Sequence, residues 1–185
     1  MRPQIGKEKI LEAALHLFAQ NGFHTTSVNE IAVRAGVSKG LLYNYFDSKE
    51  EVLVTIIEQA SEQMFEIART LMSHGTYKER LGHFLDHYMN SLETHKTYFS
   101  FQLSLLFQPS LKQYVQKLLH RRIDYILQLT TEMFRKAGCE APEQMARRFV
   151  CELDGVAVQV LSEFPGFPLH EVREQLFLNY RSVGT

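Results

Sequence analysis

Apolar residues recur at helical spacing along nearly all of this 185-residue chain, and at three breaks in the pattern a Ser/Thr-x-x-Glu tetrad stands. The tetrads run from Ser27 to Glu30, from Ser48 to Glu51 and from Thr76 to Glu79. In each, the hydroxyl can accept a backbone N–H of the first helical turn while the glutamate reaches back to the capping residue. Such pairs belong at helix starts. The period-two alternation that a half-buried strand needs does not occur in any convincing run. The chain is therefore expected to be all-α, with about nine helices.

The breaks divide it as follows. Over residues 5–20, Ile10, Ala14, Leu17 and Phe18 share one helical face, and Asn21-Gly22 closes the segment. A second helix opens at Ser27 and carries Ile31, Ala32 and Ala35, and Gly36 ends it. Ser38 caps a third, over 38–46. Ser48 opens a long fourth helix, to about Met72, striped by Val52, Ile56, Ala60, Met64, Ile67 and Leu71. A fifth follows Thr76, and an aromatic-rich sixth covers Tyr98 to Phe107. Pro109 precedes a long seventh, stopped by Gly138. Pro142 suits the first turn of an eighth, to about Phe164, and a ninth follows Pro168. Residues 1–47 thus hold three short helices and 48–185 longer ones. The functional boundary is expected inside the fourth helix, which joins both parts without a flexible linker.

A formal charge of −1 excludes a grossly basic chain, and the first 50 residues carry six Lys/Arg against five Asp/Glu. Any nucleic-acid site must therefore come from patterning rather than bulk charge. Cys139 and Cys151 are too few for a disulfide framework and are expected to be reduced thiols. The N-terminus places charges where a signal peptide needs an apolar run, and no apolar stretch approaches the ~18 residues that span a bilayer. A cytoplasmic protein is expected.

The third segment carries an unusual outer face. Taken as a helix, it turns Leu42 and Phe46 inward together, towards Ile31 and Leu17/Phe18. Lys39 and Tyr43, also four apart, share a different side with Gly40 and Asn44. Glycine weakens a helix by about 1 kcal/mol relative to alanine, so it is a poor choice for a merely solvated face. It suits a face pressed against a duplex. There Lys39 can reach a phosphate or guanine, and Tyr43 and Tyr45 a phosphate or thymine methyl. Ser27 and Ser38, at two helix starts, can hold phosphates, and Lys49 can contact the same strand. On spacing alone, two readings stand side by side: a groove-reading helix pair, or a short helix pair inside an α-helical core with half-buried tyrosines.

The run from Gly22-Phe23 through Thr26-Ser27, Ile31-Ala32, Ala35 to Gly40, Leu42 to Phe46 and Ser48 to Glu50 resembles the N-terminal signature of TetR-family transcriptional regulators. The resemblance covers about residues 4–64. Beyond that the chain is similar to the family only in its length and helical character. The resemblance implies an N-terminal three-helix, helix-turn-helix DNA-binding head. It also implies a homodimer on a palindromic operator and a C-terminal helical domain for an inducer and for dimerisation. Ser27, Ser38, Lys39, Gly40, Tyr43, Tyr45 and Lys49 become the expected DNA contacts. Leu41 is added as a possible thymine-methyl contact and Asn44 as a contributor to sequence preference.

A dimer is also expected because one short recognition helix reads too few base pairs for useful specificity. The last two helices offer two apolar stripes, with Phe149, Val156 and Val160 on one and Val172, Leu176 and Tyr180 on the other. These could form a four-helix bundle with a second copy or close the monomer core. The resemblance further implies a pocket among the large apolar residues, here Phe65, Phe84, Tyr88, Phe101, Phe107, Tyr125 and Met133. Such a lining suits a mostly apolar effector of unknown identity. His83 and His87 stand four apart with Asp86 beside them, but no metal site is expected. Glu152 and Asp154 could anchor a ligand or pair with Arg147 or Arg148. The rival function is a small helical carrier or enzyme using the aromatic residues. No nucleophile–base pair, phosphate loop or cofactor fingerprint supports catalysis, so no enzyme activity and no cofactor are expected.

Overall fold

The breaks in the sequence become helix ends. The computed structural model describes residues 2–105, 107–163 and 165–183, with side chains from Ile5 onward. Among these residues there are nine α-helices and no strand: α1 (Arg2–Asn21), α2 (Val28–Ala35), α3 (Lys39–Tyr43), α4 (Lys49–Arg69), α5 (Tyr77–Thr94), α6 (Lys96–Leu105), α7 (Lys112–Lys136), α8 (Pro142–Leu161) and α9 (Leu169–Tyr180). Single 3-10 turns at Thr70–Met72 and Pro109–Leu111 finish α4 and precede α7. The eighth helix was expected to run to Phe164, which lies outside the described residues.

Two tetrads close as reciprocal caps. Ser27 Oγ accepts the Glu30 N–H at 3.2 Å, and the Glu30 carboxylate accepts the Ser27 N–H at 2.7 Å. Thr76 and Glu79 do the same at 3.3 and 2.7 Å. The third differs from expectation. Ser48 Oγ accepts the Glu51 N–H at 3.1 Å, but the Glu51 carboxylate accepts from Asp47, one residue earlier, at 2.6 Å. The turn entering α4 points the Asp47 amide at the carboxylate, so the cap is split between two residues. Between α2 and α3, Gly36 takes φ 67, ψ 33, the left-handed conformation that lets the Val37 N–H return to the Ala32 carbonyl at 3.0 Å. The recognition segment is shorter than expected. Its α-helix ends at Tyr43, and the Tyr45 and Phe46 amides both fold back onto the Leu42 carbonyl at 3.0 Å.

The chain packs as two units. One comprises Met1–Ala60 and Thr97–Leu118, the other Ser61–Lys96 and Leu119–Thr185. The first contains α1 to α3, the opening turns of α4, most of α6 and the start of α7. Its core joins Ile10, Ala14, Phe18, Ile31, Leu42 and Phe46, all buried. Phe18 sits 5.1 Å from Phe23 and stacks at 6.0 Å on Phe101 of α6. A purely linear division does not anticipate that Thr97–Leu118 belongs with the first sixty residues.

The second unit is built around an aromatic cluster. Phe149 lies 5.8 Å from both Phe84 and Phe134 and 4.7 Å from Tyr180. The Tyr77 hydroxyl donates to the Tyr180 carbonyl at 2.7 Å, and the Tyr88 hydroxyl to the Leu153 carbonyl at 3.0 Å. Both α4 and α7 run through the two units, changing membership at Ala60/Ser61 and at Leu118/Leu119.

Candidate nucleic-acid interface

Leu42 and Phe46, 0 and 1% exposed, pin α3 from behind. Each is large and apolar, and burying such a side chain contributes about 1.5–3 kcal/mol. Their burial turns the opposite side outward. Lys39, Gly40, Leu41, Tyr43 and Asn44 are all exposed, Tyr43 by 46%. The Lys39 ammonium lies 5.9 Å from the Tyr43 ring centroid, so cation and phenol present as one patch. Ser38 caps the turn by accepting the Leu41 N–H at 3.1 Å, which leaves its hydroxyl proton free to donate outward.

Gly40 is informative because nothing in the protein requires it. A side chain begun there would meet only Ser38 Oγ, at 4.0 Å, and its backbone is ordinary helix. The missing side chain leaves space outside the protein, beside Lys39 and Tyr43. Ser27 is exposed at the start of α2. Its backbone N–H, and then its hydroxyl, hold the Glu30 carboxyl below the ordinary carboxylate range. The neighbouring Val33 is apolar yet 73% exposed.

Two of the expected contacts are turned inward. Tyr45 is half-buried with its ring against α1, where a β-carbon on Gly6 would come within 3.0 Å of Tyr45 Oη. The glycine inside α1 makes room for this phenol, a pairing that periodicity did not reveal. Lys49 donates to the carbonyls of Phe23 and Thr26 at 2.7 Å and of His24 at 3.4 Å. Its ammonium also lies 4.5 Å from the Phe23 ring centroid. Burial pulls its pKa below the usual lysine value, with Glu50 and Glu30 opposing. An ammonium has three donors, and here three carbonyls of one loop engage them. The sequence expectation of a strand contact ignored this because a lysine after a serine cap normally points to solvent.

The seven expected pocket residues are shared between the two units, Phe101 and Phe107 in the first and the other five in the second. Phe101 stacks in the first unit, and Phe107, also in its range, is 78% exposed. In the second unit, Phe84 and Tyr88 stack at 6.0 Å and Met133 is fully buried, as expected of core packing. Phe65 and Tyr125 form a separate pair at 4.4 Å, where Arg69 donates to the Tyr125 hydroxyl at 3.2 Å. Glu152 pairs with Arg148 at 2.9 Å. Asp154 is exposed. His83 and His87 are exposed, and Asp86 instead accepts from Arg173 at 2.8 Å. Among the described residues no three His, Cys, Asp or Glu side chains gather as a metal-ligand set.

The six expected interface residues also divide. Phe149, Val156, Val160, Leu176 and Tyr180 are each at most 9% exposed in the single chain, and Val172 is half-buried. What remains accessible of Val156, Val172 and Leu176 lines an open groove of about 610 Å³ between α8 and α9, with Gly155, Phe167 and Gln159. Val158 and Leu178, not anticipated, stand exposed on the same two helices.

Known proteins match this arrangement. The family model for bacterial regulatory proteins of the tetR family matches residues 10–56, the whole of α2 and α3 with most of α1 and the start of α4. An HTH-type transcriptional regulator of Bacillus subtilis, YuxN, itself uncharacterized, is 33% identical over 139 residues, which are 70% of this chain and 46% of that protein. The chain thus spans about half the length of that curated relative. A TetR-like transcriptional regulator from Rhodococcus sp. RHA1 superposes with a TM-score of 0.75 at 24% identity, covering 93% of this chain and 91% of its own. A Saccharomonospora viridis protein solved in complex with choline superposes at 0.78 and 22% identity, covering 94 and 95%. Among the described residues no helix is long and apolar enough to cross a membrane. Residues 10–56 thus carry the regulatory signature of the tetR family, and the order of the helices is the fold of TetR-like regulators.

Proposed function

We propose that this chain is a cytoplasmic, ligand-responsive transcriptional regulator. In this reading residues 1–47 form the DNA-binding head, and 48–185 bind a small effector and dimerise. It acts as a repressor that holds a palindromic operator as a homodimer, and it is not an enzyme. The observation that carries the reading is the solvent-facing side of α3. Lys39, Gly40 and Tyr43 are exposed together, and the glycine among them is not required by anything inside the protein. A phosphate or base edge can approach the backbone at Gly40 while Lys39 and Tyr43 flank it. Ser27 and Ser38 add hydroxyl donors at the starts of α2 and α3, and Leu41 and Asn44 extend the patch.

The groove between α8 and α9 supports the dimer. Its exposed lining is mainly apolar, and a side chain begun at Gly155 would meet nothing within 4 Å, which lets a partner helix come close. For the effector, the Phe65–Tyr125 ring pair in the second unit offers apolar packing with a phenol as polar anchor. The chain's likeness to a choline-bound protein is consistent with a small-molecule site. The continuity of α4 from Lys49 to Arg69 carries the signal. An effector that prefers the non-binding state by about 2.7 kcal/mol lowers operator affinity about 100-fold.

The test is selection from a pool of palindromic duplexes, followed by titration at several salt concentrations. A regulator selects one palindrome, binds it at least ~10³-fold more tightly than random duplex, and loses affinity steeply with salt. Uniform weak binding to all duplexes would defeat the proposal.

A further inference from the structure

We infer that Lys49 is a positioning residue that clamps the first turn of α4 to the loop between α1 and α2, rather than a contact to the DNA backbone. The loop, residues 22–27, ends at Ser27, the cap of α2. It contributes three carbonyls to one ammonium, from Phe23, His24 and Thr26, while the Phe23 ring lies beneath it at 4.5 Å. Carbonyl dipoles aimed at one point repel one another, and the ammonium among them offsets that repulsion. The ammonium satisfies them and, being the second residue after Asp47, links them to the α3–α4 junction.

The same loop is held at two other points. Thr26 is buried, and its hydroxyl donates to the Gly22 carbonyl at 2.8 Å. His24 Nε2 lies 2.7 Å from Ser110 Oγ, in the 3-10 turn before α7. Lys49 is therefore the point where α4 meets the segment that sets the placement of Ser27 and α2. A displacement of the start of α4 moves the carbonyl cluster with it, and α2 follows. Arginine cannot substitute: its planar fork suits one flat acceptor group, not three carbonyls converging on a point charge. The consequence for DNA binding rests on the proposed function; the clamp itself does not.

The experiment uses the full chain as wild type, Lys49→Arg and Lys49→Gln. Backbone amide exchange over residues 23–31 is measured without DNA. Affinity for the selected palindrome is then measured against salt. A clamp predicts that both variants speed exchange in that segment about tenfold or more while α8 is unchanged. Both weaken operator binding about tenfold, with the slope of log affinity against log salt unaltered. A backbone contact predicts that Lys49→Arg behaves as wild type, and that Lys49→Gln leaves exchange alone and lowers the slope by about one. That pattern overturns the inference. Because the exchange measurement needs no DNA, it decides on the clamp even if the wild type selects no palindrome, an outcome that would count against the proposed function alone.

Discussion

The outer side of α3 and the groove between α8 and α9 are alike in one respect and opposed in another. Each contains an exposed glycine that the chain's own packing does not need, Gly40 in the first and Gly155 in the second. Around Gly40 stand a lysine, a phenol and an amide; around Gly155 stand Val156, Val172 and Leu176. On the proposed function, the glycines mark where a partner comes close, and the neighbours set what kind of partner it is. A cationic, hydrogen-bonding patch suits a polyanion read at short range. An apolar groove between two helices suits another helix pair. A chain that used both through the same partner would not need two such different surroundings.

The sharpest way to break this comparison is to fill the groove. Gly155→Arg meets open space in the monomer, so the folded chain is expected to tolerate it, with a gain of helix propensity near 1 kcal/mol. Sedimentation should show the mass falling from dimer to monomer. Operator affinity should fall by about 100-fold or more, since each half-site is then bound alone. A variant that remains a dimer would place the interface elsewhere and leave Gly155 unexplained.

The matching changes on α3 should be smaller and of a different kind. Lys39→Ala should weaken binding to all duplexes alike and reduce the salt slope by about one. Tyr43→Ala should cost about tenfold on the selected palindrome, and Gly40→Gln at least as much by blocking the approach. Thermal melts and dimer mass should remain close to wild type in all three. Unfolding caused by Lys39→Ala or Tyr43→Ala would show these side chains to be structural, and the comparison with the groove would collapse.

How far the sequence foretold this depends on the kind of information each feature needs. Helix starts were legible because a cap is local: Ser27 with Glu30 and Thr76 with Glu79 involve residues three apart. The burial of Leu42 and Phe46, and hence the outward side of α3, followed from four-residue spacing. What spacing cannot carry is the partner across the fold. Lys49 meets carbonyls more than twenty residues away, Tyr45 meets Gly6, and Phe101 stacks on Phe18. The same limit applies to Phe149 and Tyr180, which are buried within the single chain. An apolar stripe shows that a side is buried, not whether its cover is the same chain or a second copy.

The two reciprocal caps allow a gentler test, one in each unit. Glu30 and Glu79 both have carboxyls held below their ordinary range, chiefly by the backbone N–H of Ser27 and of Thr76. Their folded pKa is thus lower than the unfolded one. Each contributes stability fully present above the unfolded carboxylate pKa of about 4.3, and it is lost as pH falls through the folded value. Melts from pH 7 to pH 3 should show Glu30→Gln flattening part of the acid decline, because the amide still caps but does not titrate. Glu79→Gln should do the same. An acid decline unchanged in both variants would show that other carboxylates govern it.

The smallest expected effect concerns Tyr45, where the two readings of the head differ most finely. If its ring only fills the space that Gly6 leaves on α1, then Tyr45→Phe should leave operator affinity within about twofold of wild type. Gly6→Ala would bring a β-carbon within 3.0 Å of Tyr45 Oη and 3.2 Å of Cε2, so the ring must move a few tenths of an ångström. The better helix propensity of alanine opposes that cost, and the net change in stability should stay within about 1 kcal/mol. Operator affinity should fall a few-fold as the end of α3 shifts. If Tyr45 instead donates to a phosphate, the order reverses. Tyr45→Phe would then lose about tenfold in affinity with its melt unchanged, and Gly6→Ala would bind as wild type. Measuring both variants on the same palindrome separates a phenol that shapes the reading surface from one that belongs to it.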